Sequence, residues 1–224
     1  VTAGWLLFAR ESYFTDEDTQ EAETIPLKES ILASVKSKNI WLTGLALMFM
    51  LGGSMITTNF QVSALTSLKG YSEAYAGTFG TALMIGAILG SIFMPPFILG
   101  SKRTAVLLLG AGLLAALGMS VIPVGTAALI YAGSFINGFL RSGVIAVMMA
   151  LPVMFPEIGA RYAGTAGGLA VTMELIGAVV IPTYIIVPLG KGNLITYFVL
   201  GALCVVISSV FCFLAAKGAG GHQP

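Results

Sequence analysis

The feature that most limits the fold of this chain is a series of long apolar runs between residues 40 and 216. Backbone groups inside a bilayer must hydrogen-bond within the protein, and a helix of about 20 apolar residues is long enough to cross. Only 9% of the residues are charged, against about 25% in soluble domains. We therefore expect an all-α integral membrane protein, a six-helix bundle. The expected spans are residues 40–68, 74–99, 104–122, 126–155, 162–189 and 194–216.

The segments around these spans differ from them in composition. Residues 1–9 are apolar but span only about 13 Å as a helix, so we interpret them as the end of a preceding transmembrane helix and the chain as a fragment or a separated half. Residues 10–39 form an expected cytoplasmic linker, acidic at first and then amphipathic, which predicts a short surface helix after Pro26. Residues 217–224 form an expected cytoplasmic tail.

Basic residues are divided unevenly between the two ends of the spans, and they collect on the cytoplasmic side of membrane proteins. One side holds only Lys69 and Lys191. The other side holds Arg10, Lys28, Lys36, Lys38, Lys102, Arg103, Arg161 and Lys217. We therefore expect a multi-pass protein of the plasma (inner) membrane with both termini in the cytoplasm.

Arg141 and Glu174 lie in the middle of otherwise apolar spans. A charge at the bilayer centre costs about 2.5–3.5 kcal/mol on insertion scales, so such a residue is usually paired or turned toward a watery cavity. If the two spans fold back on each other, both charges lie about 18–21 Å from the turn, at equal depth. Three interpretations stay open: Arg141 binds an anionic substrate, pairs structurally with Glu174, or alternates between the two. Glu174 is also a candidate proton carrier, and the neighbouring Gly177 and Ala178 predict that it faces protein.

Polar residues recur at helical spacing in the first span, where Ser54, Thr57, Thr58 and Gln61 form a stripe. The stripe is interpreted either as the wall of a cavity, with Thr58 and Gln61 favoured, or as polar contacts between helices. In the fourth span, Ser134 and Asn137 share a helical face with Arg141. Asn137 lies one turn from Arg141, a spacing that allows it to orient the guanidinium.

Several functional classes lack their sequence signals. The chain has no Gly-Lys phosphate-binding loop, no metal-ligand cluster and no nucleophile–base set. We therefore expect no enzymatic activity, no cofactor, no metal and no nucleic-acid partner. Pro95-Pro96 and Pro182 predict bends in the second and fifth spans.

Three sequence segments together carry a family resemblance. The stretch LKESIL at residues 27–32 leads into NIWL at 39–42, and the tight turn LGSKRT occupies residues 99–104. A third segment runs from GFLRSG (138–143) through FPE (155–157) to RYAGTAG (161–167). In this combination the chain resembles the C-terminal half of a major facilitator superfamily transporter. The turn departs from the family's fuller signature, because no Asp accompanies Gly100.

The resemblance implies a twelve-helix fold of two six-helix halves, with a substrate site between them that is exposed alternately to each side. It implies that the first and fourth spans line the cavity, the second and fifth flank it, and the third and sixth face lipid. The expected function is secondary active transport of a small solute, with proton-coupled symport or antiport, and Arg141 favours an organic or inorganic anion. The expected partners are the lipid bilayer and a missing N-terminal half or a second copy. The alternative is a non-transporting half-bundle that assembles with or regulates another membrane protein.

Overall fold

The structure is a computed structural model that describes residues 26–97 and 101–219. The expected end of a preceding helix (residues 1–9), the acidic part of the linker (10–25), Gly100 and the last residues of the tail (220–224) lie outside the described residues.

Helices make up nearly all of the described chain, and no strand occurs in these residues. Six helical segments are long and apolar enough to cross a membrane, which confirms the predicted all-α fold class. Two 3₁₀ turns, Pro95–Phe97 and Leu151–Met154, and one π turn, Ile181–Ile186, accompany the α-helices. The α-helices are α1 (Leu27–Lys36), α2 (Lys38–Lys69), α3 (Glu73–Phe93), α4 (Ser101–Val121), α5 (Ala127–Ala150), α6 (Gly159–Val180), α7 (Val187–Gly190) and α8 (Leu194–Gly218).

Local sequence sets the helix ends. Ser37, Ser72 and Asn193 precede α2, α3 and α8, and each accepts a hydrogen bond from the backbone N–H three residues on, at 3.3, 3.3 and 3.2 Å. Such side chains satisfy N–H groups that have no partner within the helix. At the other end of α2, Gly70 adopts a φ of 68°, which glycine accommodates without a steric penalty.

Prolines account for two irregularities. The second span was expected to continue to residue 99, but α3 ends at Phe93 and a 3₁₀ turn begins at Pro95. Proline lacks an N–H and clashes with the preceding turn, so the α-helix cannot continue through this pair. Pro182 lies in the π turn that connects α6 to α7 within a single membrane span, Gly159–Gly190.

The helix contacts follow an approximate two-fold pattern. The contact between α2 and α6 corresponds to the contact between α5 and α3. In the same way, the contact between α2 and α8 corresponds to the contact between α5 and α4. Helices α4 and α8, which are equivalent under this exchange, pack on each other. The six membrane-spanning segments of the described residues therefore form two three-helix repeats, and α2 and α5 are their equivalent first helices. The spans of α3 and α6 are the two least buried.

Helix α1 lies against α6. Ser30 and Ser34 are buried there, while Leu27, Ile31 and Leu32 are among the apolar side chains that α1 exposes. Tyr162 on α6 donates its hydroxyl to Glu29 on α1 over 2.6 Å. This contact joins the short helix to the end of the bundle where α2 begins and α8 ends. Lys217 lies in the last turn of α8, and this end is called the basic end below.

Candidate functional site

A buried hydrogen bond joins the two equivalent helices α2 and α5. The Gln61 side chain on α2 donates from Nε2 to Oγ of Ser134 on α5 over 2.8 Å. Both residues are buried. The contact lies two turns before α2 ends and two turns after α5 begins, toward the end of the bundle opposite the basic end.

Between this contact and the basic end, Ser54 on α2 and Arg141 on α5 lie at the same distance along the two helices. The two helices run in opposite directions, and each residue is seven positions from the contact toward the basic end, about 10.5 Å along the axis. Residues seven apart share a helical face. Ser54 and Arg141 therefore extend the face along which α2 and α5 meet.

Four residues of these two helices have buried polar atoms without a hydrogen-bond partner. The atoms are Ser54 Oγ, Thr57 Oγ1, Asn137 Oδ1, and Nε and Nη1 of Arg141, and they are all such buried side-chain atoms among the described residues. Arg141 is 8% exposed and Asn137 is fully buried. Buried polar groups are normally hydrogen-bonded, and a group left unpaired costs about 1–3 kcal/mol. We call Ser54, Thr57, Asn137 and Arg141 the polar cluster, and its unused donors and acceptors make it a candidate binding site.

Asn137 contributes to the polar cluster in a fixed orientation. Its Nδ2 donates to the backbone carbonyl of Ala115 on α4 over 2.9 Å. No hydrogen bond joins Asn137 to Arg141 in the described structure. The interpretation that Asn137 orients the guanidinium is therefore wrong for this conformation, because Oδ1, the only Asn137 side-chain atom to which a guanidinium could donate, receives no hydrogen bond.

Glu174 is buried on α6, with 7% of its surface exposed. It shares the buried face of α6 with Ala166, Ala170 and Gly177, and a Cβ built on Gly177 would collide with the backbone carbonyl of Met48 on α2. Glu174 therefore faces protein, as the small residues beside it predicted.

Of the three interpretations of Arg141, the structural pairing with Glu174 is absent from this structure. Within the described residues neither side chain has a salt bridge or a hydrogen bond. The prediction assumed that two helices joined by a short turn pack on each other. Instead α6 packs mainly on α2, whereas α5 packs on α3 and α4.

The remaining predicted positions differ in their surroundings. Thr58 is exposed, and Gln61 is engaged in the interhelical bond to Ser134. Thr57, which the sequence offered only as one member of the polar stripe, belongs to the polar cluster. The i, i+3, i+7 spacing of Ser54, Thr57 and Gln61 was the signal for a shared face. No group of three or more His, Cys, Asp or Glu that could hold a metal occurs in the described residues.

Comparisons with known proteins agree with this architecture. The model of the Major Facilitator Superfamily matches residues 1–182. A solved bacterial homolog of the human lysosomal transporter Spinster, in an inward-facing and unoccupied conformation, is similar in fold with a TM-score of 0.63 and 13% sequence identity. The alignment covers 89% of this chain and 52% of that chain, so this chain spans about half of the length of the solved protein. No curated protein matches.

Proposed function

Because this chain belongs to the Major Facilitator Superfamily, we propose that it is the C-terminal six-helix half of a secondary transporter. In this proposal the complete protein moves a small organic or inorganic anion across the membrane by alternating access. The six membrane-spanning helices and the two three-helix repeats support a half of that kind.

The observation that carries the proposal is the buried, unpaired guanidinium of Arg141. A charge at membrane depth is costly. A structural arginine would offset that cost with a carboxylate or a backbone carbonyl, but Arg141 has neither among the described residues. The planar guanidinium fork matches carboxylate and phosphate groups. A bound anion therefore accounts for an arginine at this position.

Glu174 is the proposed coupling residue, and the proposed coupling ion is the proton. Its carboxyl group is buried on α6 without an ion pair or hydrogen bond in the described structure. Burying a carboxylate without a partner is costly, whereas a protonated carboxyl tolerates such surroundings. A change of protonation would therefore change the free energy of this arrangement of α2 and α6, which can link proton movement to transport.

The proposed partner is an N-terminal six-helix half. Helices α3 and α6 are the least buried spans. A Cβ built on Gly77, Gly80, Gly164 or Gly168 would have no neighbour within 4 Å. Glycine-rich faces allow another helix to approach closely. In the proposed orientation the basic end lies in the cytoplasm, and the protein resides in the plasma (inner) membrane.

The direct test is counterflow with the full-length transporter in liposomes. The vesicles are loaded with one small anion, and entry of the same radiolabelled anion is measured with and without a pH gradient; acetate, lactate and phosphate form the first panel. Exchange of at least one anion supports the proposal. Reconstituted, folded protein that exchanges none of a broad set of anions would favour a half-bundle that regulates another membrane protein.

A further inference from the structure

The amide of Asn137 has one possible orientation. Its contact to the Ala115 backbone oxygen is 2.9 Å long, and only the amide nitrogen can donate to a carbonyl. The side-chain oxygen Oδ1 is therefore a fixed acceptor. It is fully buried and receives no hydrogen bond in the described structure.

Donors with no acceptor lie one helical turn away on the same helix. Nε and Nη1 of Arg141 are unpaired, and residues four apart on a helix are neighbours on its surface. A bare anion would satisfy the guanidinium but would leave the Asn137 oxygen unpaired beside a negative group. A ligand that fits both residues must carry an anionic acceptor and a hydrogen-bond donor a few bonds apart.

The charges near the polar cluster indicate whether the hydrogen-bond donor of the ligand is charged or neutral. Among the described residues, Arg141 is the one cation in the middle of a membrane span. Glu174, the one acidic residue at such a position, lies on α6 and does not pair with Arg141. A ligand ammonium group would therefore lack a counter-ion in the polar cluster. A neutral hydroxyl meets the requirement without adding a charge.

We propose that the polar cluster selects small monocarboxylates with a hydroxyl on the carbon next to the carboxylate. The carboxylate accepts from Arg141, the ligand hydroxyl donates to Oδ1 of Asn137, and the hydroxyls of Ser54 and Thr57 satisfy the remaining ligand oxygens. This substrate class rests on the proposed transport function. Selectivity arises because the analogue without the hydroxyl leaves a buried acceptor unpaired.

Competition in the full-length transporter tests the substrate class. Uptake of radiolabelled 2-hydroxypropanoate into liposomes is measured against rising concentrations of unlabelled 2-hydroxypropanoate, propanoate and inorganic phosphate. We expect 2-hydroxypropanoate to compete at least about tenfold better than propanoate, since a site built to bond a hydroxyl rejects the analogue that lacks it. Asn137→Ala should reduce that ratio toward one. The ratio does not depend on how much of a variant folds.

Ser208→Ala is the matched control. Ser208 also donates from a buried side chain to a backbone carbonyl on a neighbouring helix, that of Ala46, over 2.5 Å, but it lies on α8 outside the polar cluster. Its variant should keep the wild-type ratio. Equal competition by propanoate and 2-hydroxypropanoate, or stronger competition by phosphate, overturns the substrate class while anion transport stands. If no anion of the counterflow panel is exchanged, the transport function itself is overturned instead.

Discussion

Ser37, immediately before α2, donates its hydroxyl to Oε1 of Glu157 in the connection between α5 and α6 over 2.8 Å. Asn39 donates to the same oxygen, also over 2.8 Å. Residues about 120 positions apart are thus joined at the basic end of the bundle. Ser37 also accepts from the Ile40 backbone N–H, so one side chain both caps α2 and binds the α5–α6 connection.

This contact makes stability depend on pH in the acid range. Partial burial raises the pKa of Glu157, but hydrogen bonds from its own backbone and from Ser37 and Asn39 outweigh that effect, and the pKa lies below its ordinary value of 4.5. A carboxylate with a lowered folded-state pKa stabilises the protein above the ordinary pKa, and the contribution is lost as pH falls through the lowered value. We expect the contribution of Glu157 to the Tm of the detergent-solubilised transporter to be constant from pH 7 to about 5 and to decrease below about pH 4.5.

Two variants separate this contact from general acid unfolding. Glu157→Gln removes the titrating group and should flatten part of the acid decrease, whereas Glu73→Gln in the first turn of α3 should leave the Glu157 contribution in place. Ser37→Ala should lower stability at all pH values, since loss of a helix cap costs about 0.5–2 kcal/mol. An acid profile of Glu157→Gln identical to that of the wild type would show that the contact does not form.

Gly133 on α5 and Gly118 on α4 hold these helices at close distance. A Cβ built on either residue would lie 2.7 Å from the backbone oxygen of the other. Gly133→Ala should therefore destabilise the protein by about 1–3 kcal/mol, the usual cost of overpacking. Gly110→Ala on α4 is the control, because a Cβ there meets nothing within 4 Å. Thermal unfolding in one detergent compares them, and equal Tm values would contradict the close packing.

The sequence determined the spans well because hydrocarbon imposes length and apolarity on each helix separately. It also located the polar residues of the candidate site, since Ser54, Asn137 and Arg141 interrupt apolar runs. It did not predict which helices touch. Small residues mark a close-packing face, as Gly177 shows, but they do not identify the helix that occupies it. The structural pairing of Arg141 with Glu174 is absent for this reason. The sequence also did not predict that the Nδ2 of Asn137 donates to Ala115 on α4, a bond to a neighbouring helix.

Gln61, which bonds to Ser134, either only joins α2 to α5 or also contacts the substrate, and variants of the two residues separate these roles. If the bond only joins α2 and α5, a double-mutant cycle with Gln61→Ala and Ser134→Ala should give a coupling energy of about 0.6 kcal/mol, the average for such bonds in membranes. The KM for the transported anion should then stay within about twofold of wild type, because two helices packed slightly less firmly keep the same binding groups. A KM raised about tenfold by Gln61→Ala alone would place Gln61 in the substrate site.

Arg141 is expected to be essential for anion transport. Arg141→Ala removes the only positive charge near mid-span in the described residues and should abolish both counterflow and net uptake. Arg141→Lys keeps the charge but loses the planar fork, so exchange should persist with a KM raised about tenfold or more. Quantified reconstitution of each variant into liposomes is the control for folding. Uptake retained by Arg141→Ala would refute the anion-binding role.

Glu174 should affect coupling rather than binding, because it lies on α6 and makes no contact with Arg141 in the described structure. Glu174→Gln mimics the protonated carboxyl permanently. Accumulation driven by a pH gradient should therefore be lost, while exchange of labelled for unlabelled anion, which needs no net proton movement, should continue within about threefold of wild type. The two assays use the same vesicles, so a folding defect would lower both together. Gradient-driven accumulation that survives in Glu174→Gln would remove Glu174 from the coupling step and leave the anion site on α2 and α5 intact.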